Sequence, residues 1–269
     1  MHNSRHINYP ECSVYAFLEQ NAEKYPDTYA LDYFSKKFSY KTLIKEIDRC
    51  AKTLKAMGVN RNDTVSICLP NIPQAVIAFY AINKIGAVAN MIHPLSAENE
   101  IEFYLNISES RLIIVLDLIW DKLKNVISNT QNQHTMLVSV KTYIPLTLKF
   151  GYWLKNIQNI KSSLNALDWA QFMNYSKQYR GEANAHGLAS DCVAILYSGG
   201  TTGKPKGTKL TNLNFNALAL QSIDACGCLK QGDKVLSVMP IFHGFGLGLY
   251  NRCFLLNLFV ACDWTFVIC

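Results

Sequence analysis

The residues best suited to chemistry lie together in Ser198-Gly199-Gly200-Thr201-Thr202-Gly203-Lys204-Pro205-Lys206-Gly207. Gly199, Gly200 and Gly203 can adopt positive φ and have no side chain to block an approaching ligand, so successive backbone N–H groups can turn toward one anion. Ser198, Thr201 and Thr202 add hydroxyl donors, and Lys204 and Lys206 add compact charges on flexible stems. Pro205 stiffens the backbone between the two lysines. Together these are the parts of a polyphosphate cradle. A Walker A loop needs Gly-x4-Gly-Lys-Ser/Thr, whereas here Gly199 and Gly203 stand too close and Lys204 is followed by proline. No kinase catalytic loop is present either, so a kinase or GTPase reading fails. The plain alternative is a surface turn rich in Gly, Thr and Lys. It is disfavoured because these residues fall between an apolar run and a helix signal.

The apolar run is Cys192-Val193-Ala194-Ile195-Leu196-Tyr197, which reads as a buried parallel strand. Thr211 to Leu218 reads as a helix start with an N-cap candidate. Strand, glycine loop and helix in that order is the usual layout of an anion site. A second candidate is the apolar segment Val235 to Met239 with Pro240, Ile241, Phe242 and His243 after it, where glycines flank the histidine at Gly244 and Gly246. A lone histidine is more often a satisfied core residue than a ligand. His93, just before Pro94, has a turn or core role on this reading. Glu98, Glu100 and Glu102 read as a solvated helix face, favoured by the dipole near an N-terminus. No Ser-His-Asp arrangement has interpretable spacing.

Around these segments the chain alternates. Cys12 to Tyr25 predicts a short packing helix with Val14, Phe17, Leu18 and Ala22 on one face. Tyr29 to Phe34 and Phe38 to Tyr40 predict a hairpin turning through Ser35-Lys36-Lys37. A helix follows with Leu43, Ile47, Ala51 and Leu54 inward and Gly58 as its stop. Strands are expected at Val65–Leu69, Ala87–Ile92, Leu112–Leu116 and Met136–Val140, with helices at Gln74–Ile85, after Ser96 and at Leu118–Asn129. Near-continuous apolar strands alternating with helices predict an α/β fold with mostly parallel sheets flanked by helices. Between Thr142 and Arg180 the aromatic and basic residues, including Tyr152, Trp153, Lys155 and Trp169, fit a helical insertion better than a bilayer-touching patch.

At 269 residues and 49% apolar content the chain can bury a sizeable core in one large domain or two. Its net charge of +6 is spread along the sequence, which suits anionic ligands and gives little support to a dedicated nucleic-acid surface. Nine cysteines are scattered without metal spacing, and Cys226-Gly227-Cys228 is too tight for zinc or a redox pair. Buried thiols in a reducing compartment follow, and the polar start after Met1 is unlike a secretion signal, so a cytoplasmic location is expected. The apolar stretch Leu255 to Cys269 is shorter than the roughly 20 residues of a spanning helix, which predicts a core or interface segment and no integral membrane segment.

Tyr197 to Gly207 closely resembles the signature loop of the adenylate-forming acyl-CoA synthetase superfamily. Val235 to Gly246 is similar to that family's next segment, a strand ending in Pro-x-Phe-His, and the order and separation of the two also agree. The resemblance extends over nearly the whole chain up to about Leu249. It implies an incomplete N-terminal large domain of the adenylate-forming fold. Residues 1–60 would be a helix and hairpin segment, 61–225 a first α/β subdomain, and 226–269 the start of a second with an atypical end. By the same resemblance Ser198, Gly199, Gly200, Thr201, Thr202, Gly203, Lys204 and Lys206 hold the ATP phosphates, Thr201 contacts Mg²⁺, and His243 and Gly244 line the acyl and adenine pocket. The implied activity joins a carboxylic acid, by guess of chain length a medium or long fatty acid, to coenzyme A at the expense of ATP. The adenine, ribose and lid segments of the family are not found before Cys269, and Asn251 to Cys269 departs from its pattern. The expectation is therefore a truncated chain with little or no ligase activity alone. The alternative is a non-catalytic remnant that binds nucleotide weakly or pairs with another chain. The sequence assigns no oligomeric state.

Overall fold

The computed structural model describes residues 7–145, 166–198, 205–226, 230, 232–255 and 259–261. The chain enters through helix α1, Val14–Lys24, started by the Ser13 hydroxyl, which accepts from the Ala16 N–H at 3.0 Å. Its inner face is Val14, Tyr15, Leu18 and Ala22; Tyr15 takes the buried place expected of Phe17, which is only half-buried. The phenol pays for burial by donating to Glu19 at 2.6 Å and accepting from the Lys84 ammonium at 2.9 Å.

Strands β1, Tyr29–Tyr33, and β2, Lys36–Ser39, form the expected hairpin, but the turn is Phe34-Ser35, both in the left-handed region at φ 48° and 69°. Lys36 and Lys37 are ladder residues opposite Tyr33 and Asp32. Positive φ at both central positions matches the twist of the strands, so a two-residue turn prevails over the longer polar one. Helix α2, Tyr40–Ala56, buries Leu43, Ile47, Ala51 and Leu54 as predicted. Gly58 follows it at φ 81°.

The larger sheet holds seven strands. They are β3 Thr64–Cys68, β4 Val88–Met91, β5 Leu112–Leu116, β6 His134–Val138, β7 Ala166–Asp168, β8 Cys192–Ser198 and β9 Lys206–Thr211. Their order is β7-β6-β5-β3-β4-β8-β9, parallel throughout except for β9 against β8. Every residue of β4 and β5 is buried, as strands covered on both faces must be. Strand β6 begins two residues before the predicted Met136, because His134 and Thr135 extend the ladder along Leu112 and Ile113. Helices α3 Pro73–Lys84, α4 Glu98–Ser108, α5 Trp120–Ser128 and α6 Trp169–Asn174 complete the crossovers. All twelve residues of α3 are buried; most are apolar, and the buried Gln74, Asn83 and Lys84 are hydrogen-bonded.

The smaller sheet joins distant parts of the chain in the order β10-β11-β1-β2, with β10 Lys234–Leu236 and β11 Phe259–Ala261. β11 runs parallel to both neighbours, with Val260 opposite Leu31 and Val235. Where it is described, the apolar tail is thus an interior strand, and Val260 is buried. Helices α7 Asn212–Cys226 and α8 Gly244–Leu255 pack beside α3, where Phe79, Tyr80, Phe215 and Phe254 meet edge to face. Each such buried ring contributes about 1.5–3 kcal/mol. Gly248 permits the close approach of α8 to α7, since a Cβ there would lie 2.6 Å from Leu218.

Trp169 is buried and stacked on Phe172, in keeping with a core role; Tyr152, Trp153 and Lys155 lie outside the described residues. Among the described residues no helix is long and apolar enough to cross a membrane. The described cysteines Cys12, Cys50, Cys68, Cys192 and Cys253 are all free thiols, and burial pushes Cys68 up to about 12. A thiol so shifted is a packing residue and a poor nucleophile at neutral pH.

Candidate functional site at the carboxyl ends of the parallel strands

The two strands that flank the glycine-rich segment pair with each other. Strands β8 and β9 pair from Cys192 opposite Thr211 to Ser198 opposite Lys206, and both of the latter are exposed at the tip. Gly199, Gly200, Thr201, Thr202, Gly203 and Lys204 lie outside the described residues. The expected passage from loop directly into helix is not what forms. β9 intervenes, so the first residue of α7, Asn212, sits at the far end of the hairpin, about 20 Å along the strand from Lys206. A helix dipole acts within its own first turn, so α7 lends the tip no field. The Thr211 cap is as expected. Its hydroxyl accepts from the Asn214 N–H at 3.3 Å, and its own N–H donates to Asn214 Oδ1 at 2.8 Å. The strand escaped prediction because four of its six residues are exposed and two are lysines, the composition of a sheet edge protected from further pairing.

The hairpin is seated on Tyr197. Its ring stacks on Tyr104 from α4 with centroids 3.9 Å apart and planes 23° from parallel, and its hydroxyl donates to the Tyr104 carbonyl at 3.2 Å. Across the ladder stands Gly207, where a Cβ would come within 3.1 Å of the Tyr197 ring and 3.2 Å of Ile195. The glycine gives the ring a flat backbone to lie on. Burial, above the hydrogen bonds around it, holds the Tyr197 phenol far above its ordinary pKa, so it remains a neutral donor. Beneath it, Asn90 of β4 donates to Ser66 at 2.8 Å and to Ser108 at 2.9 Å, and Ser110 closes the set at 2.6 Å from Ser66. This buried polar network fixes β4, α4 and the base of β8 to one another.

The second segment is a turn between β10 and α8. His243 precedes α8; its carbonyl accepts from Leu247 at 2.9 Å and its N–H donates to Pro240 at 3.0 Å. The imidazole itself is exposed. Gly244 rests on β8, its Cβ position 3.2 Å from Leu196, two residues before Ser198. Gly246 is obligatory, because a Cβ there would fall 1.9 Å from the Pro240 carbonyl oxygen. From the other sheet, Asn71 donates to the carbonyls of Ser237 at 3.0 Å and Met239 at 2.9 Å and accepts from the Ile241 N–H at 2.7 Å.

His93 joins the same region. Two residues past β4, it accepts the Leu95 N–H on Nδ1 at 2.9 Å, the turn role expected, and its ring lies 4.4 Å from that of Phe242. Burial holds its pKa below the usual histidine range, so the proton sits on Nε2. The chain leaves β4 toward β5 and leaves β8 into β9 on the other side, so the strand order diverges between these parallel neighbours. Ligands of open α/β sheets bind in the crevice outside such carboxyl ends. Here the structure gathers Ser198, Lys206, Gly244, Phe242 and His93 around that crevice. Of the residues expected at the site, Ser198, Lys206, His243 and Gly244 lie among the described residues; Asn71 and Tyr104 were not assigned from sequence, since their contacts join remote segments. Among the described residues no group of three or more His, Cys, Asp or Glu could hold a metal.

Residues 18–259 match the family model described as AMP-binding enzyme. The chain is 29% identical over 247 residues to a long-chain-fatty-acid–CoA ligase of Bacillus subtilis, covering 88% of this chain and 43% of that protein. It is 30% identical over 204 residues to a probable CoA ligase of Humulus lupulus, covering 75% of this chain and 34% of the relative. It thus spans less than half the length of these curated relatives. Among solved structures, a long-chain-fatty-acid–CoA ligase from Archaeoglobus fulgidus superimposes with a TM-score of 0.78 at 24% identity, over 97% of this chain and 48% of that one. An anthranilate CoA ligase in complex with anthranoyl-AMP does so with 0.77 at 20% identity, over 98% and 46%. At these identities the structural likeness shows the adenylate-forming fold.

Proposed function

Because this chain belongs to the AMP-binding enzyme family, we propose that it carries the phosphate-gripping and acid-lining part of an ATP-dependent acid–thiol ligase acting on a fatty acid. The observation that carries the proposal is the convergence of the Ser198–Lys206 hairpin and the Phe242–Gly244 turn on one crevice at the strand ends.

In the reaction so assigned, a carboxylate oxygen attacks the α-phosphorus of ATP, the bond from that phosphorus to the bridging oxygen breaks, and pyrophosphate leaves. The thiolate sulfur of coenzyme A then attacks the acyl carbon, and AMP leaves with the bonding electron pair. Ser198, the loop N–H groups of Gly199, Gly200 and Gly203, and the hydroxyls of Thr201 and Thr202 hold the β and γ phosphates. Lys204 and Lys206 follow the charge that builds on the departing pyrophosphate, the kind of stabilisation that dominates phosphoryl and adenylyl transfer. Mg²⁺, when bound at Thr201 and the phosphates, would supply further neutralisation of that charge. Phe242, His243 and Gly244 line the acid and adenine side, and His243 is a wall residue there rather than a general base.

The adenine, ribose and lid segments that the family resemblance calls for are not within these 269 residues. For this chain as it stands the proposal is binding of ATP or an acyl-adenylate with little or no turnover. Isothermal titration with a non-hydrolysable acyl-adenylate analogue and with ATP tests the first part, with Lys204→Ala/Lys206→Ala weakening ATP by roughly tenfold through loss of two phosphate contacts. ATP–pyrophosphate exchange with several fatty acids tests the second. No detectable nucleotide binding would overturn the former, and robust exchange the latter.

A further inference from the structure

The loop between β3 and α3 reads Leu69-Pro70-Asn71-Ile72-Pro73. An asparagine just ahead of a helix ordinarily spends its side chain on capping that helix. Asn71 does not: the N-cap of α3 is Ile72, with no side-chain cap, and the Asn71 carboxamide is turned toward the chain arriving from the other sheet. Both N–H groups are used, on Ser237 and Met239, and the oxygen is used on Ile241. That is one side chain meeting three backbone groups within five residues, and it is buried. Only a carboxamide of this length offers two donors and an acceptor in that order; reversing the amide would set its oxygen against two carbonyls. Gly246 closes the turn from the opposite side, at Pro240. Prolines 70 and 73 limit the backbone around Asn71 itself.

The two walls of the crevice come from different sheets, the phosphate hairpin from the seven-stranded one and the Phe242–Gly244 turn from the end of β10. We propose that Asn71 is the positioning residue of this site, fixing the 239–243 turn to the carboxyl end of β3 so that Phe242 and His243 face the phosphate hairpin. It acts through the turn and touches neither nucleotide nor acid. This inference rests on the function proposed above for its ligand-binding consequence, while its structural core can be tested without any ligand.

Amide hydrogen exchange should be followed residue by residue in the wild type, Asn71→Leu and Asn71→Asp. With Asn71→Leu, exchange at Ile241 and His243 rises about tenfold or more, while Ile67 in β3 and Ala78 in α3 keep wild-type protection. Asn71→Asp keeps the acceptor for Ile241 and loses both donors, so Ile241 stays protected while His243 loosens; it also serves if the leucine variant folds poorly. In titrations, both variants weaken the acyl-adenylate analogue and leave pyrophosphate affinity at the wild-type value. Unchanged exchange at 241–243, a uniform rise across the whole chain, or equal weakening of both ligands would each overturn the inference. Should the wild type bind no adenylate analogue, the proposed function falls, and the exchange pattern alone decides whether Asn71 sets the turn.

Discussion

Tyr197 and Gly207 face each other across the last rungs of an antiparallel ladder, and the ring of the first lies on the bare backbone of the second. Ser198 and Lys206 form the next and last rung, so this contact seats the end of the ladder.

The pair should behave as a unit. Gly207→Ala brings a methyl to 3.1 Å from the ring and is expected to cost about 1 kcal/mol in urea unfolding, at the low end of overpacking. In a Tyr197→Ala background the same change should be neutral or favourable, which a double-mutant cycle reads directly. Tyr197→Phe, which loses the hydroxyl's bond to Tyr104 and its interactions with Ser108 and Asn90, should cost about 1 kcal/mol or more.

Gly246 and Gly232 separate steric need from backbone need. Gly246→Ala drives a Cβ into the Pro240 carbonyl, which must move, and about 3 kcal/mol or more should be lost. Gly232 stands at φ 85° with open space around it, so Gly232→Ala should cost only the left-handed penalty of about 1–2 kcal/mol. Comparable losses at the two positions would contradict the contact at Gly246.

His93 should titrate below the free histidine value of about 6.5. Its folded pKa is depressed, so the stability it contributes is present above the unfolded pKa and is lost as pH falls through the folded one. Protonation places a hydrogen on Nδ1 and breaks the bond from Leu95. NMR titration of the imidazole should therefore show the Leu95 amide and the Phe242 ring shifting with the same midpoint.

Asp48 carries a different dependence. Burial raises its carboxyl pKa, but hydrogen bonds from Lys52 and Lys84 outweigh that, and the net shift is downward. Stability from this group is present above about pH 3.9 and disappears as pH falls through its lowered value. About a third of the side chain is exposed, so solvent screens the pairs and the effect is modest. Urea unfolding between pH 2 and 6 should show a steeper loss for the wild type than for Asp48→Asn.

Much of this was legible in the residues. Leu112-Ile113-Ile114-Val115-Leu116 can be little else than a central strand, and the inward set Leu43, Ile47, Ala51 and Leu54 states one helical face. That the two candidate segments belong to one site is what the family resemblance implies. What stayed hidden depends on partners far along the chain. Lys206 to Thr211 looks like a polar loop until β8 is seen to pair with it, and Phe34-Ser35 carries no glycine to announce a tight turn. Asn71 resembles any asparagine between prolines, because the three backbone groups that occupy it lie more than 160 residues away.

The pairing of Leu31 with Val260 also governs how the molecule comes into being. A ribosome adding 5–20 residues per second needs about 10–50 s to travel between those two positions. Throughout that interval the edge of β1 that will pair with Val260 and Ala261 is open, its backbone groups awaiting a strand not yet synthesised. A nascent chain halted before residue 259 should therefore be the species that chaperones hold and proteases find.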